Sequence, residues 1–228
     1  MKYLGKSDML LKAASVFLVI FLLIGCSKKE TRLRKDADII RLRHLTYYGR
    51  LIEQYYRVAG KYPLQQIMPM PLYIYVANDQ QVESAKQQEH TGPFADVPFS
   101  VFVKQVESVL AKEISEYYDP QYPPDDKPDF YVYTVHNETY HFSVYVRQPY
   151  PFARRVAENY YAVEISSDPD PDNKIYSPDQ LFNSPGFNKE LNRTISNEAF
   201  FREIEKKYLH HTKSKKVKQV PVPEKDIM

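Results

Sequence analysis

The fold of this chain is limited most strongly by an amphipathic helical pattern across residues 31–59. Apolar residues recur there at steps of three, four or a multiple, which places them along one face of a helix. This apolar stripe comprises Ile39, Leu42, Leu45, Ile52, Tyr56 and Ala59, with Gly49 on the same face. The opposite face carries Arg41, Arg50, Glu53 and Arg57. Gly60 offers a C-cap and Pro63 forbids continuation, so the helix should end at residue 59.

A second kind of pattern, alternation with a period of two, predicts strands at 72–76, 130–136, 139–146 and 160–165. The second and third strands flank Asn137-Glu138, which suits a two-residue hairpin loop. Alternation assigns one set of side chains to the face that should meet the helix: Tyr131, Tyr133, Val135, Tyr140, Phe142, Val144 and Val146. The other face should be polar, with Thr134, His136, Thr139, His141 and Ser143.

Two further helices are predicted. The first covers residues 97–118, where Asp96 can act as the cap and Pro98 suits the first turn. Its stripe is Phe99, Phe102, Val103, Val106, Leu110, Ile114 and Tyr117. Ser196 can cap the second, and residues 166–186 before it are expected to form a loop. The patterns together predict an α+β fold, in which the N-terminal amphipathic helix packs on a small antiparallel sheet with additional helices.

The beginning of the chain has the features of an export signal. Three lysines precede a short apolar run, residues 13–24, which is typical of a secretory signal peptide. The run is shorter than the ~20 apolar residues that span a bilayer comfortably. It ends in Leu23-Ile24-Gly25-Cys26, which resembles the bacterial lipobox. That resemblance implies cleavage before Cys26 and acylation of Cys26; an uncleaved anchor helix with an incidental cysteine is the alternative.

Several expectations follow from the lipobox resemblance. Residues 1–25 would be the signal peptide, and residues 26–30 a polar tether that attaches the protein to the membrane through its lipid anchor. Ser27, where an aspartate would imply retention at the inner membrane, implies the outer membrane, with the protein facing the periplasm. Cys26 is the chain's single cysteine. Its acylation would leave no thiol for a disulfide, so the core alone must hold the fold.

Charge excludes one class of partner. Residues 1–25 hold three of the 31 basic residues and one of the 29 acidic residues, so the chain that follows is formally neutral. General nucleic-acid binding requires a clustered basic face and is therefore not expected. Residues 212–228 are basic and then Val-Pro rich, which predicts a disordered tail. The lysines that follow His210-His211 could touch anionic lipid, although a solubilising tail is the commoner interpretation.

A family resemblance appears at the end of the first helix. The stretch LIEQYYRVAGKYP, residues 51–63, resembles the end of the first helix in type II secretion pseudopilins and type IV pilins. In that family the helix commonly ends in Tyr-Tyr, followed by Gly, a polar residue, Tyr and Pro. The resemblance implies a pilin-like α+β domain across residues 31–211. Because a lipobox replaces the apolar stem by which pilins polymerise, we do not expect a filament.

Three groups of residues are candidate sites. His136 and His141 should lie diagonally on the polar sheet face, where they could contribute to a zinc site or simply be polar surface. Asp168, Asp170, Asp172 and Asp179 have the spacing of a calcium loop, but the intervening prolines favour an extended, solvated acidic loop. The chain has 20 tyrosines, which suits either a tyrosine-rich core rim or a binding face. Tyr122 and Tyr150, each next to a proline, are the predicted partner-binding residues.

Function is expected to be binding without catalysis. The sequence lacks the catalytic motifs G-x-S-x-G, H-E-x-x-H and S-x-x-K. No cofactor is expected, apart from the possible calcium. The favoured hypothesis is a pilin-like lipoprotein that binds another envelope or secretion-related protein. One alternative is an immunity lipoprotein that neutralises a periplasm-acting toxin, and a second is an envelope enzyme with a dispersed site.

Overall fold

The structure is a computed structural model that describes residues 5–65, 70–78, 81, 95–123 and 130–195. Side chains are described from residue 30 onward, except at 95 and 96. The helices are α1 (Gly5–Ala59), α2 (Phe99–Leu110), α3 (Pro178–Phe182) and α4 (Pro185–Leu191). The strands are β1 (Leu72–Val76), β2 (Ala95–Asp96), β3 (Tyr131–His136), β4 (Thr139–Val146), β5 (Arg154–Ala157), β6 (Tyr160–Ser166) and β7 (Ile175–Tyr176). The helix expected from Ser196, the pair His210-His211 and the tail 212–228 lie outside the described residues.

The described strands form one mixed sheet with the order β2-β1-β3-β4-β6-β5, and β7 also pairs with β6. Along this path, neighbouring strands pair antiparallel in the order β1, β3, β4, β6, β5. β2 and β7 instead pair parallel with β1 and β6. The predicted α+β class is confirmed, because α1 packs on this sheet, whereas the expectation of a wholly antiparallel sheet is wrong. Both parallel strands have only two residues, too few for a hydrophobic period to be recognised.

Helix α1 ends where the sequence predicted. Its last residue is Ala59, and Gly60 adopts a φ of 69° while its backbone N–H donates to the carbonyl of Tyr56 at 2.8 Å. The helix begins earlier than predicted, at Gly5, and it includes residues 26–30. The backbone is thus helical where a polar tether was expected. Within the described part of the chain, no helix combines the length and the apolarity that crossing a membrane requires.

The main core lies between α1 and one face of the sheet, which we call the inner face. The predicted inner-face residues of β3 and β4 are all buried, and Leu42, Leu45 and Ile52 of α1 are buried against them. The predicted stripe fails at its end, since Tyr56 is 42% exposed and Tyr55 is 1% exposed. The spacing explains this error: Tyr48, Ile52 and Tyr55 continue the inward face in steps of four and three, and Tyr56 lies beyond it.

Gly49 permits a close approach between α1 and its neighbours, as the sequence suggested. A Cβ atom on Gly49 would lie 2.6 Å from Cδ1 of Ile165 and 2.8 Å from Cζ of Phe182. Real Cβ atoms do not approach other heavy atoms so closely. The glycine therefore allows β6 and α3 to pack directly on the helix backbone.

Helix α2 is shorter than the predicted 97–118. Ala111 adopts a left-handed conformation with φ 50° and ends the helix, and Asp96 lies in β2 instead of capping α2. Ile114 and Tyr117 are buried, as the stripe required, but in an irregular segment. The hydroxyl of Tyr48 accepts from the backbone N–H of Tyr117 at 2.7 Å and donates to its carbonyl at 2.8 Å. This side chain on α1 replaces the bonds that a longer helix would have made internally.

The expected loop at 166–186 contains regular structure. A 3-10 helix at Pro171–Asn173 precedes β7 and α3, and α4 begins at Pro185. Ser177 caps α3 through a capping box with Gln180, and Ser184 accepts a hydrogen bond from the backbone of Phe187 at the start of α4. Each helix has a Ser-Pro start that favours a helix N-terminus. Because the helices are only five and seven residues long, they lack the periodicity on which the sequence analysis depended.

Candidate functional site

The sheet face opposite α1, which we call the outer face, carries a charged cluster. Pairing of β4 with β6 places His141 opposite Ser166 and Ser143 opposite Glu164, so His141 and Glu164 are diagonal neighbours. Nδ1 of His141 lies 2.8 Å from Oε1 of Glu164. Nη2 of Arg154, on β5, donates to Oε2 of the same carboxylate at 3.4 Å. We call His141, Glu164 and Arg154 the outer-face cluster.

Electrostatics favours the ionised form of the central carboxylate in this cluster. Burial of Glu164 by itself raises its pKa, but the hydrogen bond from His141 and the charges of His141 and Arg154 outweigh burial and hold the pKa below its ordinary value. The Glu164 side chain is 12% exposed, while His141 and Arg154 are 37% and 45% exposed. The cluster therefore presents two hydrogen-bond donors to solvent around a fixed negative charge.

The outer face also carries aromatic side chains next to this cluster. Tyr145 and Tyr160 stack with their ring centroids 5.0 Å apart. The guanidinium carbon of Arg147 lies 4.7 Å from the centroid of the Tyr160 ring, which is the geometry of a cation–π contact. Thr134, His136 and Ser143 are half-buried on the same face. The polar outer face expected from the sequence is therefore present, with tyrosine and arginine added at its β5 side.

The two histidines proposed for zinc have separate partners. His141 pairs with Thr134 across the hairpin, as predicted, but its Nδ1 contacts Glu164, while Nε2 of His136 lies 3.3 Å from Nδ2 of Asn137. Among the described residues, no group of three or more histidine, cysteine, aspartate or glutamate side chains could hold a metal ion. An open cavity of about 500 Å³ lies at the hairpin tip and is lined by Gln65, His136, Asn137, Glu138 and Thr139.

The structure does not gather the aspartates of the proposed calcium loop. Asp170 caps the 3-10 helix, and its carboxylate accepts from the backbone N–H and the Nδ2 amide of Asn173, which lowers its pKa. Asp172 lies in that 3-10 helix, and Asp179 lies in the first turn of α3. Asp168 donates its backbone N–H to Oγ of Ser166. Among the described residues, these carboxylates therefore form no group of three or more that could hold a metal ion.

The two predicted partner-binding tyrosines lie against the core. Tyr122 is half-buried and packs on the small apolar cluster of Leu33, Ala37, Ile39, Ile40 and Ile195. Tyr150 is also half-buried, and its ring stacks on Phe152 with centroids 5.2 Å apart. Burial, followed by the nearby charge of Asp38, raises the pKa of Tyr150. These contacts give both rings a structural role at the core rim, and a role in partner binding stays a prediction.

A buried ion network that the sequence patterns did not predict lies beneath α1. Arg41, expected on the exposed helix face, is 0% exposed. Its Nε and Nη2 donate to the two carboxylate oxygens of Asp119 at 2.6 and 2.9 Å, and its Nη1 donates to Asp38 at 3.0 Å. Nη2 also donates to the carbonyl of Tyr122 at 2.7 Å. The network joins α1 to the irregular segment after α2.

Asp38 extends this network to the end of β4. Its carboxylate accepts from the backbone N–H groups of Arg147 and Gln148 at 2.9 to 3.0 Å. Burial raises the pKa of Asp38 to about 6, although the Arg41 charge and these hydrogen bonds act in the opposite direction. One sequence signal was available: Asp38 and Arg41 are three positions apart, and each immediately precedes a stripe residue, Ile39 or Leu42, so both charges border the buried face.

His44 lies next to Arg41 on α1 and is completely buried. Its Nδ1 is 2.8 Å from the hydroxyl of Tyr131, and its ring stacks on Tyr117 with centroids 4.9 Å apart. Burial, with the neighbouring charges of Arg41 and Arg43, lowers the pKa of His44 to about 3. The imidazole is therefore neutral at physiological pH and lies in a packed part of the interior.

Comparisons with protein-family models, with curated proteins and with solved structures found no match to this chain. Interpretation of its function therefore rests on its residues and their geometry.

Proposed function

We propose that this protein is a non-enzymatic lipoprotein of the bacterial outer membrane, whose pilin-like domain binds another envelope or secretion-related protein through the outer face of its sheet. The observation that carries the proposal is the contrast between the two faces of β4. Its inner residues Tyr140, Phe142 and Val144 are 0% exposed beneath α1, whereas His141 and Ser143 between them are half-buried on the outer face. The inner face of β4 is thus covered by α1, whereas among the described residues its outer face stays partly exposed at His141 and Ser143, where we infer that a partner binds.

The outer-face cluster suits recognition of a protein surface. Its central carboxylate is ionised, and its orientation is fixed by hydrogen bonds to His141 and Arg154. Charges held in place before binding give orientation and specificity, because a partner must present complementary groups at matching positions. Half-buried Tyr145 and the 45% exposed Arg154 side chain are of residue types enriched at protein interfaces, whereas Tyr160 and Arg147 are themselves buried.

The contacts of the histidines support a role without catalysis. In one common form of nucleophilic catalysis, a histidine base lies within hydrogen-bond reach of a serine, threonine or cysteine. In the part of the chain that the structure describes, the recorded side-chain partners of His44, His136 and His141 are Tyr131, Asn137 and Glu164. None of these partners is a nucleophilic hydroxyl of serine or threonine.

Membrane attachment is proposed from the lipobox resemblance and is tested separately. The variant Cys26→Ser removes the thiol that would receive the diacylglyceryl group. In cells fed a labelled fatty acid, we expect the unchanged protein to become labelled and this variant to remain an unlabelled precursor. A variant that still matures and fractionates with the outer membrane would contradict the proposed anchor.

Partner binding is tested with a photo-crosslinking amino acid placed in the full chain in its native cells. Ser143 lies at the centre of the outer face, and Val58 is an exposed control at 65% exposure near the C-terminal end of α1. We expect a crosslinked product from position 143 and none of the same mass from position 58. Equal products from both positions, or none from position 143, would contradict binding through the outer face. Identification of the captured protein separates a secretion-related role from neutralisation of a toxin.

A further inference from the structure

The middle of α1, just after Cys26, has a strong local charge. Residues 28–35, with the sequence KKETRLRK, hold five basic residues and one acidic residue. The chain that follows residue 25 is formally neutral as a whole, so this excess does not reflect a generally basic protein. A run of basic residues is often only a solvated helix face, so its significance depends on which charges the fold leaves exposed.

Folding separates the two signs of charge in this part of the helix. Arg32 is exposed, and Lys35 is half-buried. The next two acidic residues, Asp36 and Asp38, are 5% and 0% exposed, and Asp38 is paired internally with Arg41. Glu30 is paired with Arg34 at 2.6 Å. Among the described side chains of this segment the accessible charge is therefore positive, because Asp36 and Asp38 are buried and Glu30 is paired.

The continuity of α1 fixes these charges relative to Cys26. At a rise of ~1.5 Å per residue, Lys28 lies ~3 Å and Lys35 ~14 Å from Cys26 along the helix axis. Electrostatic attraction between exposed charges persists over a Debye length, about 8 Å at physiological ionic strength. The backbone positions of residues 28–35 thus lie within two Debye lengths of the proposed acylated cysteine.

From this arrangement we propose that residues 28–35 bind the anionic phospholipid headgroups of the membrane that anchors the protein. The inference rests on the proposed lipid anchor and adds a second, electrostatic contact to it. Basic segments next to a membrane anchor are attracted to anionic lipid surfaces, and acyl chains combined with basic residues bind more stably than one signal alone. The contact would hold α1 and the outer face in one orientation above the membrane.

The test uses the purified protein as cells process it, reconstituted in vesicles of phosphatidylcholine alone or with about 30% phosphatidylglycerol, an anionic lipid. A fluorophore on Thr31→Cys reports proximity to lipids whose headgroups carry a quencher. A fluorophore on Val58→Cys is the distant control, since it lies ~40 Å further along α1. We expect about twofold greater quenching at position 31 when phosphatidylglycerol is present, and loss of this increase in about 0.5 M salt.

Two charge-reversed variants have the same change in net charge. Arg32→Glu with Lys35→Glu should abolish the composition-dependent increase, while Arg50→Glu with Arg57→Glu, both exposed near the other end of the helix, should retain it. Quenching that is independent of phosphatidylglycerol, or lost equally in both variants, overturns the inference. Mass spectrometry of the same sample separates the two proposals. Absence of acyl chains refutes both, whereas an acylated protein without composition dependence refutes this inference alone.

Discussion

The two faces of the sheet differ in how their polar groups are satisfied. On the inner face the tyrosine hydroxyls have partners within the fold: the Tyr133 hydroxyl donates to the carbonyl of Pro63 at 2.8 Å, and the Tyr140 hydroxyl donates to Glu53 at 3.0 Å. On the outer face the Glu164 carboxylate is bonded to His141 and Arg154, whose side chains remain partly exposed. Buried polar groups must be paired, whereas partly exposed ones can exchange partners with water or with another protein.

This difference separates residues that stabilise the fold from residues that remain partly exposed, where we propose that a partner binds. A substitution on the inner face removes packing or leaves a buried group unpaired, so it should act mainly on stability. A substitution at a partly exposed outer-face residue such as His141, Ser143 or Arg154 changes groups that already contact water, so it should leave stability nearly unchanged. We therefore order the predictions from the largest expected loss of stability to the smallest.

The largest loss is expected for Ile52→Asp on α1. Ile52 is 0% exposed against the inner face, and a carboxylate there must remain protonated or disrupt the site. We expect destabilisation of at least ~4 kcal/mol, measured as loss of the cooperative urea transition. Val58→Asp is the matched control, because it places the same charge on the same helix at a position that is 65% exposed. Comparable transitions for both variants would contradict the packing of α1 on the sheet.

Arg41→Met tests the buried ion network beneath α1. Removing the guanidinium leaves Asp38 and Asp119 without their shared partner, and uncompensated buried charges cost about 3–5 kcal/mol. We expect a loss in that range from chemical denaturation. Arg50→Met, at an exposed position of the same helix, should change stability by less than about 0.5 kcal/mol. Similar losses of unfolding free energy in the two variants would contradict burial of the network.

The pH dependence of stability tests the same region with a predicted sign. The pKa of His44 is lowered to about 3, so its contribution to stability is complete above pH 6.5 and is lost as pH falls towards 3. The pKa of Asp38 is raised to about 6, so its contribution is complete below pH 3.8 and is lost as pH rises through 6. Between pH 7 and pH 5 the two contributions oppose each other.

His44→Phe separates these two contributions. The substitution removes the contribution of His44 to the pH dependence and leaves that of Asp38. The free energy of unfolding of the variant should therefore increase by on the order of 1 kcal/mol when the pH is lowered from 7 to 5. The unchanged protein should instead lose a similar or smaller amount over the same range. Urea denaturation at both pH values measures the difference, and the same sign of change in both proteins would contradict the assigned pKa shifts.

Local patterns in the sequence predicted much of the fold. The bounds of β1 and β4, the two-residue loop at Asn137-Glu138 and the end of α1 at Ala59 agree with the structure. Each depends on a repeating pattern or a turn residue within a few positions of the element. The patterns failed where a single residue or a distant contact decides the structure. Ala111 ends α2 with a left-handed conformation that alanine does not signal in a sequence.

The candidate site was predicted only in part for the same reason. Alternation placed His141 on the polar face of β4, but its contact with Glu164 depends on the register of β4 with β6, which no short pattern encodes. Burial of Arg41 depends on Asp119, 78 positions further along the chain. A charged residue on a helix is normally exposed, and only its distant partner shows that this one is not.

The central claim, that the inner face holds the fold and the outer face binds a partner, is tested most directly by His141→Gln with Glu164→Gln. Both stability and the photo-crosslink from position 143 are measured on this variant. Glu53→Gln, which loses the carboxylate that accepts from Tyr140 on the inner side, is the control. We expect the outer-face variant to keep its unfolding free energy within about 1 kcal/mol while the crosslink falls roughly tenfold, the equivalent of ~1.4 kcal/mol in binding. An unchanged crosslink in this stably folded variant, or an equal loss of the crosslink in Glu53→Gln, would contradict the claim.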